Sequence, residues 1–194
     1  MRTQSLSLFV AFCLFAAPAH AATYAVDPEH SSVSFKIKHL FSKVQGSFNK
    51  FEGTLDYEPG KPETWKTGGT IDVNSIDTNE PKRDKHLLSA DFFDAEKFPK
   101  IEFQSTAVKD TTGNTAALEG TLKMHGIEKP ITLKVDINGV GKDPWGNTRA
   151  AFTATTKINR KDFGMNWNQA LDNGGVLVGE EVEITLEIEA IEKV

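Results

Sequence analysis

The densest run of ionisable residues in the chain is Arg83-Asp84-Lys85-His86. A guanidinium can grip a phosphate or carboxylate through a bidentate fork, and it stays charged. An imidazole beside it can meet a carbonyl and add pH dependence. Asp84 would then orient one of the two. The same residues have a purely structural use, in which Arg83 pairs with an acid, Asp84 caps a helix and His86 bonds a strand end. At the level of sequence both uses stand.

Other chemistry has less support. His30, His39, His86 and His125 include no i, i+4 pair, and the single cysteine, Cys13, lies near the N-terminus. A metal site would have to be assembled from distant strands, so neither metal nor cofactor is expected. There is no G-x-S-x-G elbow. The acids between Glu180 and Glu192 alternate with apolar residues and read as a solvated strand face, not a catalytic pair. Gly139-Val140-Gly141-Lys142 lacks the remaining P-loop positions and reads as a hairpin turn. The chain is therefore read as a non-enzyme.

Composition narrows the class. The 194 residues carry 22 Lys+Arg against 27 Asp+Glu, a net charge of -5, which disfavours a nucleic-acid partner. Arg2, the apolar run Leu6 to Ala17, Pro18 and Ala19-His20-Ala21 have the pattern of a secretory leader cut after Ala21. The run is too short to span a bilayer, although an uncleaved anchor is the competing reading. The mature segment, residues 22–194, then has no thiol and no further run able to cross a membrane. The pattern suits export to a bacterial periplasm.

Those residues must be held by strands. Period-2 alternation runs through the mature chain: Val33, Phe35 and Ile37; Ile101 and Phe103; Ile131, Leu133, Val135 and Ile137; Phe152, Ala154, Thr156 and Ile158; and Val182, Ile184, Leu186 and Ile188. Parity shifts between Phe48 and Phe51, which calls for a bulge near Asn49-Lys50. Turns fall at Glu58-Pro59-Gly60, Thr112-Gly113-Asn114 and Asp143 to Asn147. Roughly eight strands predict one antiparallel domain, either barrel or sandwich. Pro81 to Phe98 departs from the pattern. Leu87, Leu88, Phe92 and Phe93 at helical spacing predict a short helix or two, with Asp84 and Asp91 as caps. Gly46, Gly53 and Gly120 stand among inward aromatics, where they either leave room for a ligand or mark bends.

Several stretches, in order, resemble the YceI-like family of exported, lipocalin-like proteins. They are Asp27-Pro28-Glu29-His30-Ser31-Ser32; Ser75-Ile76-Asp77-Thr78-Asn79; Arg83-Asp84-Lys85-His86-Leu87; Ser89-Ala90-Asp91-Phe92-Phe93; Gly120-Thr121-Leu122-Lys123-Met124-His125-Gly126; and Asn159-Arg160-Lys161-Asp162-Phe163-Gly164-Met165. The resemblance covers residues 23–192. It implies an all-β, eight-stranded antiparallel lipocalin-like barrel with one short helical segment. It also implies an isoprenoid or similar amphiphilic lipid bound noncovalently in the interior, and a periplasmic location.

Alternation leaves a filled and a hollow barrel equally open; the resemblance favours the hollow one. The ligand would then meet Phe35, Phe48, Phe51, Phe103 and Phe152 on the strands. Phe92, Phe93, Phe163 and Trp167 would meet it from the connections, with Arg83, Asp84 and His86 at the mouth. The expected role is a carrier or sequestering protein. An isoprenoid-quinone-linked enzyme or redox partner, and a filled structural stress protein, are the competing readings. A homodimer is left open.

Overall fold

A sheet with one apolar face has to stack on another layer or close on itself. Here it closes. The computed structural model describes residues 21–171 and 175–193. The leader expected over residues 1–21, Cys13 included, lies outside them except for Ala21.

The strands are β1 (Ala22–Val26), β2 (Ser32–His39), β3 (Ser42–Phe48), β4 (Phe51–Tyr57), β5 (Lys66–Asp72), β6 (Ile76–Asp77), β7 (Lys100–Thr112), β8 (Thr115–Met124), β9 (Ile127–Lys142), β10 (Thr148–Asn159) and β11 (Val178–Glu192). β1 pairs with both β4 and β11, which closes the ring β1-β4-β5-β7-β8-β9-β10-β11. β2 runs on from β1 along β11, β3 lies on β2, and the two residues of β6 pair with β3. The architecture is the expected eight-stranded antiparallel barrel, with β1–β2 and β3–β4 as two broken staves.

Each break has a polar filler. Between Val26 and Ser32 the chain bulges outward while β11 advances only from Ala190 to Glu187. The Ser31 hydroxyl takes over the missing ladder bonds, donating to the Glu189 carbonyl at 3.1 Å and accepting from its amide at 3.0 Å. The expected irregularity at Asn49-Lys50 is the second break. The Asn49 amide donates to the Ser75 carbonyl at 3.1 Å, and the Lys50 amide donates to the Ser75 hydroxyl at 2.9 Å. Phe48 and Phe51 therefore both point inward.

The helical segment is shorter than expected. Only Pro81–Leu88 forms an α-helix (α1), and residues 89 to 99 follow as turns. Glu80 is its N-cap, accepting from the Lys82 amide, and Pro81 occupies the first turn. Neither Asp84 nor Asp91 caps it. Gly139 to Lys142 belongs to β9, not to a turn; the turn is Asp143 to Asn147, where Asp143 Oδ1 accepts from the amides of Trp145 and Asn147.

The interior divides along the barrel. One cluster, under α1, contains Val33, Phe48, Val73, Ile101, Met124, Ile158 and Phe163. The other, around Tyr24, Leu55, Tyr57, Ala150, Phe152 and Ala190, fills the opposite end. There Tyr57 lies 6.4 Å from Tyr24, 4.9 Å from Trp65 and 5.0 Å from Phe152 between ring centroids. These rings form a floor. Burial raises the pKa of both tyrosine phenols.

Candidate functional site

Above the floor the barrel holds a cavity of about 760 Å³ lined chiefly by aliphatic and aromatic side chains. Alternation puts Phe35, Phe48, Phe51, Phe103 and Phe152 on its wall, as expected from their inward positions. Phe92, Phe93 and Trp167 reach it from the connections under and beside α1. Phe163 does not. It is only 1% exposed and belongs to the packed cluster, with its carbonyl 2.8 Å from His125 Nδ1. The size and lining are those of a small-molecule site.

The glycines divide by function. A Cβ at Gly46 would stand 2.5 Å from Phe35 Cζ, and one at Gly120 would stand 2.5 Å from Phe103 Cε2. Their missing side chains accommodate protein rings, not a ligand. Each phenyl ring reaches over the space that a Cβ at the glycine would take. Gly53, by contrast, does line the cavity, facing Gly69 across the β4–β5 pair. There the wall is bare backbone.

The mouth lies at the α1 end. Arg83 and His86 line it and Asp84 does not. Arg83 donates from Nε to the Thr78 hydroxyl at 2.7 Å and from Nη2 to the Thr78 carbonyl at 2.7 Å. Asp84 Oδ1 accepts from the Thr78 amide at 3.0 Å and from its hydroxyl at 2.5 Å. Both side chains thus clamp the loop that enters α1. His86 Nε2 lies 2.8 Å from Asp91 Oδ2, and its ring packs edge-on against Phe92 and Trp167 at 5.1 and 4.9 Å. The imidazole is part of an aromatic rim, with one nitrogen tied to a carboxylate.

Two further arginines stand at opposite ends of the barrel. Arg160 is 2% exposed and forms part of the cavity wall. It donates from Nε to the Gly179 carbonyl at 2.8 Å and from Nη1 to the Met165 carbonyl at 2.5 Å. A signal was available, since Arg160 continues the inward series Phe152, Ala154, Thr156, Ile158. Arg149 lies outside the cavity and braces the far end. It bonds Asp143 at 2.8 Å, Asp27 at 2.7 Å and Glu189 at 2.6 Å. Asp27, His30 and Glu189 come close enough together to suggest a cation site, but the guanidinium already bonds both carboxylates.

Among the described residues no helix is long and apolar enough to cross a membrane. Comparison with known proteins matches residues 24–190 to the YceI-like domain. A UPF0312 protein of Pseudomonas putida is 46% identical over 155 residues, covering 78% of this chain and 81% of its own. The crystal structure of Burkholderia cenocepacia BcnA superposes with a TM-score of 0.75 at 26% identity, covering 84% of this chain and 98% of that one. A polyisoprenoid binding domain from Saccharophagus degradans shares the fold, with a TM-score of 0.68 at 12% identity over 89% of this chain and 99% of its own. The chain belongs to the YceI-like family.

Proposed function

We propose that this member of the YceI-like family is an exported protein that binds an isoprenoid chain, or a similar amphiphilic lipid, inside the barrel. It carries or sequesters that lipid in the periplasm after its leader is cut behind Ala21. The observation that carries this reading is a cavity of about 760 Å³ with an apolar wall, an aromatic floor and a mouth under α1. The fold shared with a domain named for polyisoprenoid binding supports the choice of ligand.

The mechanism is partition, not catalysis. An exposed hydrocarbon chain is costly in water, and burial recovers about 0.8 kcal/mol per methylene. Association costs about 4–15 kcal/mol, so roughly five to twenty buried methylenes offset it. The wall residues Phe35, Phe48, Phe51, Phe103 and Phe152 contact the chain. Phe92, Phe93, Trp167, His86 and Arg83 surround the point of entry. Asp84 and Phe163 support that rim without touching the ligand. The cavity is enclosed by one chain, so binding requires no second copy.

The test is lipid extraction of protein purified from the periplasm, followed by mass spectrometry. Thr156 lines the cavity opposite Ile184, and Thr156→Phe would place a ring in the lumen. Wild type should yield an isoprenoid or related lipid. The variant should carry about tenfold less, equivalent to about 1.4 kcal/mol of binding, with its urea midpoint little changed. Lipid-free wild-type protein would refute the proposal.

A further inference from the structure

An apolar side chain at a hairpin tip calls for a reason, because turn geometry favours Gly, Asn or Asp there. The two-residue turn between β2 and β3 is Leu40-Phe41, with Leu40 in the left-handed region at φ 51°. Phe41 is 95% exposed, so its ring takes no part in the core.

This tip belongs to the rim of the mouth. His39, just before it, lines the cavity and pairs with Val178. The Leu40 amide donates to the Leu177 carbonyl at 3.0 Å, and Leu177 also lines the cavity. Next to Leu177, Val176 is a second exposed apolar residue. Asn168 ties this side of the rim to α1. Its side chain bonds the Val178 amide at 3.1 Å and the Val178 carbonyl at 2.6 Å, and its neighbour Trp167 packs on His86.

The charges at this end suit an anionic partner. Lys82 lines the opening, Lys85 is exposed three residues further along α1, and Lys38 pairs with Lys43 across the base of the hairpin. Among the described residues Lys38, Lys82 and Lys85 have no carboxylate partner. The acids around them are engaged: Glu80 caps α1, Asp91 pairs with His86, Glu180 with Lys161 and Glu183 with Lys43. Val140 and Trp145 are exposed at the opposite end, but there aromatic rings close the barrel and Arg149 already bonds three acids.

We infer that the mouth end docks on a lipid bilayer that carries anionic head groups. Phe41 enters the acyl layer, Val176 lies at its boundary, and Lys38, Lys82 and Lys85 meet head-group phosphates. A lipid then passes between bilayer and cavity without crossing water. This rests on the lipid-binding reading above and adds the surface from which the lipid is taken or to which it is delivered.

Delipidated protein can be floated with vesicles of phosphatidylethanolamine, with and without phosphatidylglycerol, and titrated separately with geranylgeraniol in solution. Wild type should partition onto the anionic vesicles, less so as salt rises. Phe41→Ser should lower that partition about tenfold, as expected when one phenyl ring no longer leaves water, and should leave geranylgeraniol binding unchanged. Lys38→Gln, Lys82→Gln and Lys85→Gln together should remove the preference for phosphatidylglycerol. Trp145→Ser, at the closed end, should float as wild type does. Wild type that binds geranylgeraniol but floats with neither vesicle overturns the inference, and so does partition that survives Phe41→Ser or is lost in Trp145→Ser. Self-association of wild type that Phe41→Ser abolishes would give the tip to a second copy and overturn the docking. Failure of wild type to bind geranylgeraniol would instead strike at the lipid-binding reading itself.

Discussion

At the floor of the barrel Tyr57 meets Tyr24, Trp65 and Phe152 in a packed cluster. Toward α1 the wall is just as rich in aromatics. Phe35, Phe48 and Phe93 meet in series at 5.8 and 5.9 Å, the first pair tilted and the second edge-to-face, yet a cavity remains beside them. The difference lies in what each ring faces. Phe35 and Phe103 lie over Gly46 and Gly120, where no Cβ pushes them inward. Tyr57 packs against other rings, and Trp65 beside it is held by an Nε1 bond to the Glu58 carbonyl at 2.7 Å. Aromatic content alone therefore does not separate a plug from a lining.

Truncation should break this comparison most sharply. Tyr57 is 5% exposed in a packed cluster, so Tyr57→Ala should cost about 3–5 kcal/mol in urea unfolding, the range for large aromatic deletions in cores. Phe51 faces open space on one side, and Phe51→Ala should cost far less, about 1–2 kcal/mol. Similar losses at both positions would mean that the wall is packed as tightly as the floor.

A smaller effect tests the seat of a wall ring over its glycine. Gly46→Ala forces a Cβ against Phe35 and against the Thr78 methyl, and overpacking of this kind should cost about 1–3 kcal/mol. Adding Phe35→Leu should recover part of that loss, a coupling that a double-mutant cycle in urea would measure. Additive losses would show that the Thr78 methyl or the strand geometry, and not the ring, requires the glycine.

The smallest effect concerns acid. Bonds from Arg149 and His30 hold the Asp27 pKa at about 2, below its ordinary value of 3.8, and Arg149 also holds Asp143 well below the carboxylate range. A lowered carboxylate stabilises the fold at pH above its unfolded value, and that contribution disappears as pH falls through the folded one. Thermal midpoints of wild type should therefore decline between about pH 4 and pH 2. Arg149→Met should start lower at neutral pH and decline less over that interval. Parallel curves would show that this brace contributes nothing to acid sensitivity. Thr156→Phe and Arg83→Met change neither Arg149 nor its carboxylates, so each should decline in parallel with wild type.

Much of the barrel was legible because the determining physics is local. Strand alternation assigned inward and outward faces, and the parity shift between Phe48 and Phe51 located a break that Ser75 does fill. The helix was overextended because Phe92 and Phe93 keep helical spacing although the chain turns after Leu88, where the amides of Phe93 and Ala95 bond back to Leu87 and Leu88. Glu80, not Asp84, is the cap because Asp84 is drawn to Thr78.

What the sequence determined alone was the class of fold, the identity of the inward residues and the absence of a local catalytic motif. The tertiary structure decided which inward aromatics plug the barrel and which line it, since that depends on partners across the sheet such as Gly46 and Gly120. It also decided how the arginines are used. Arg83 stood out in a dense charged run, yet its donors turn to Thr78. Arg160 only continues the inward series of β10 in the sequence, and it is the closing of β10 against β11 that buries its guanidinium, with one donor unmet among the described residues. Burial and hydrogen-bond satisfaction are properties of the packed whole, so no local pattern could have supplied them.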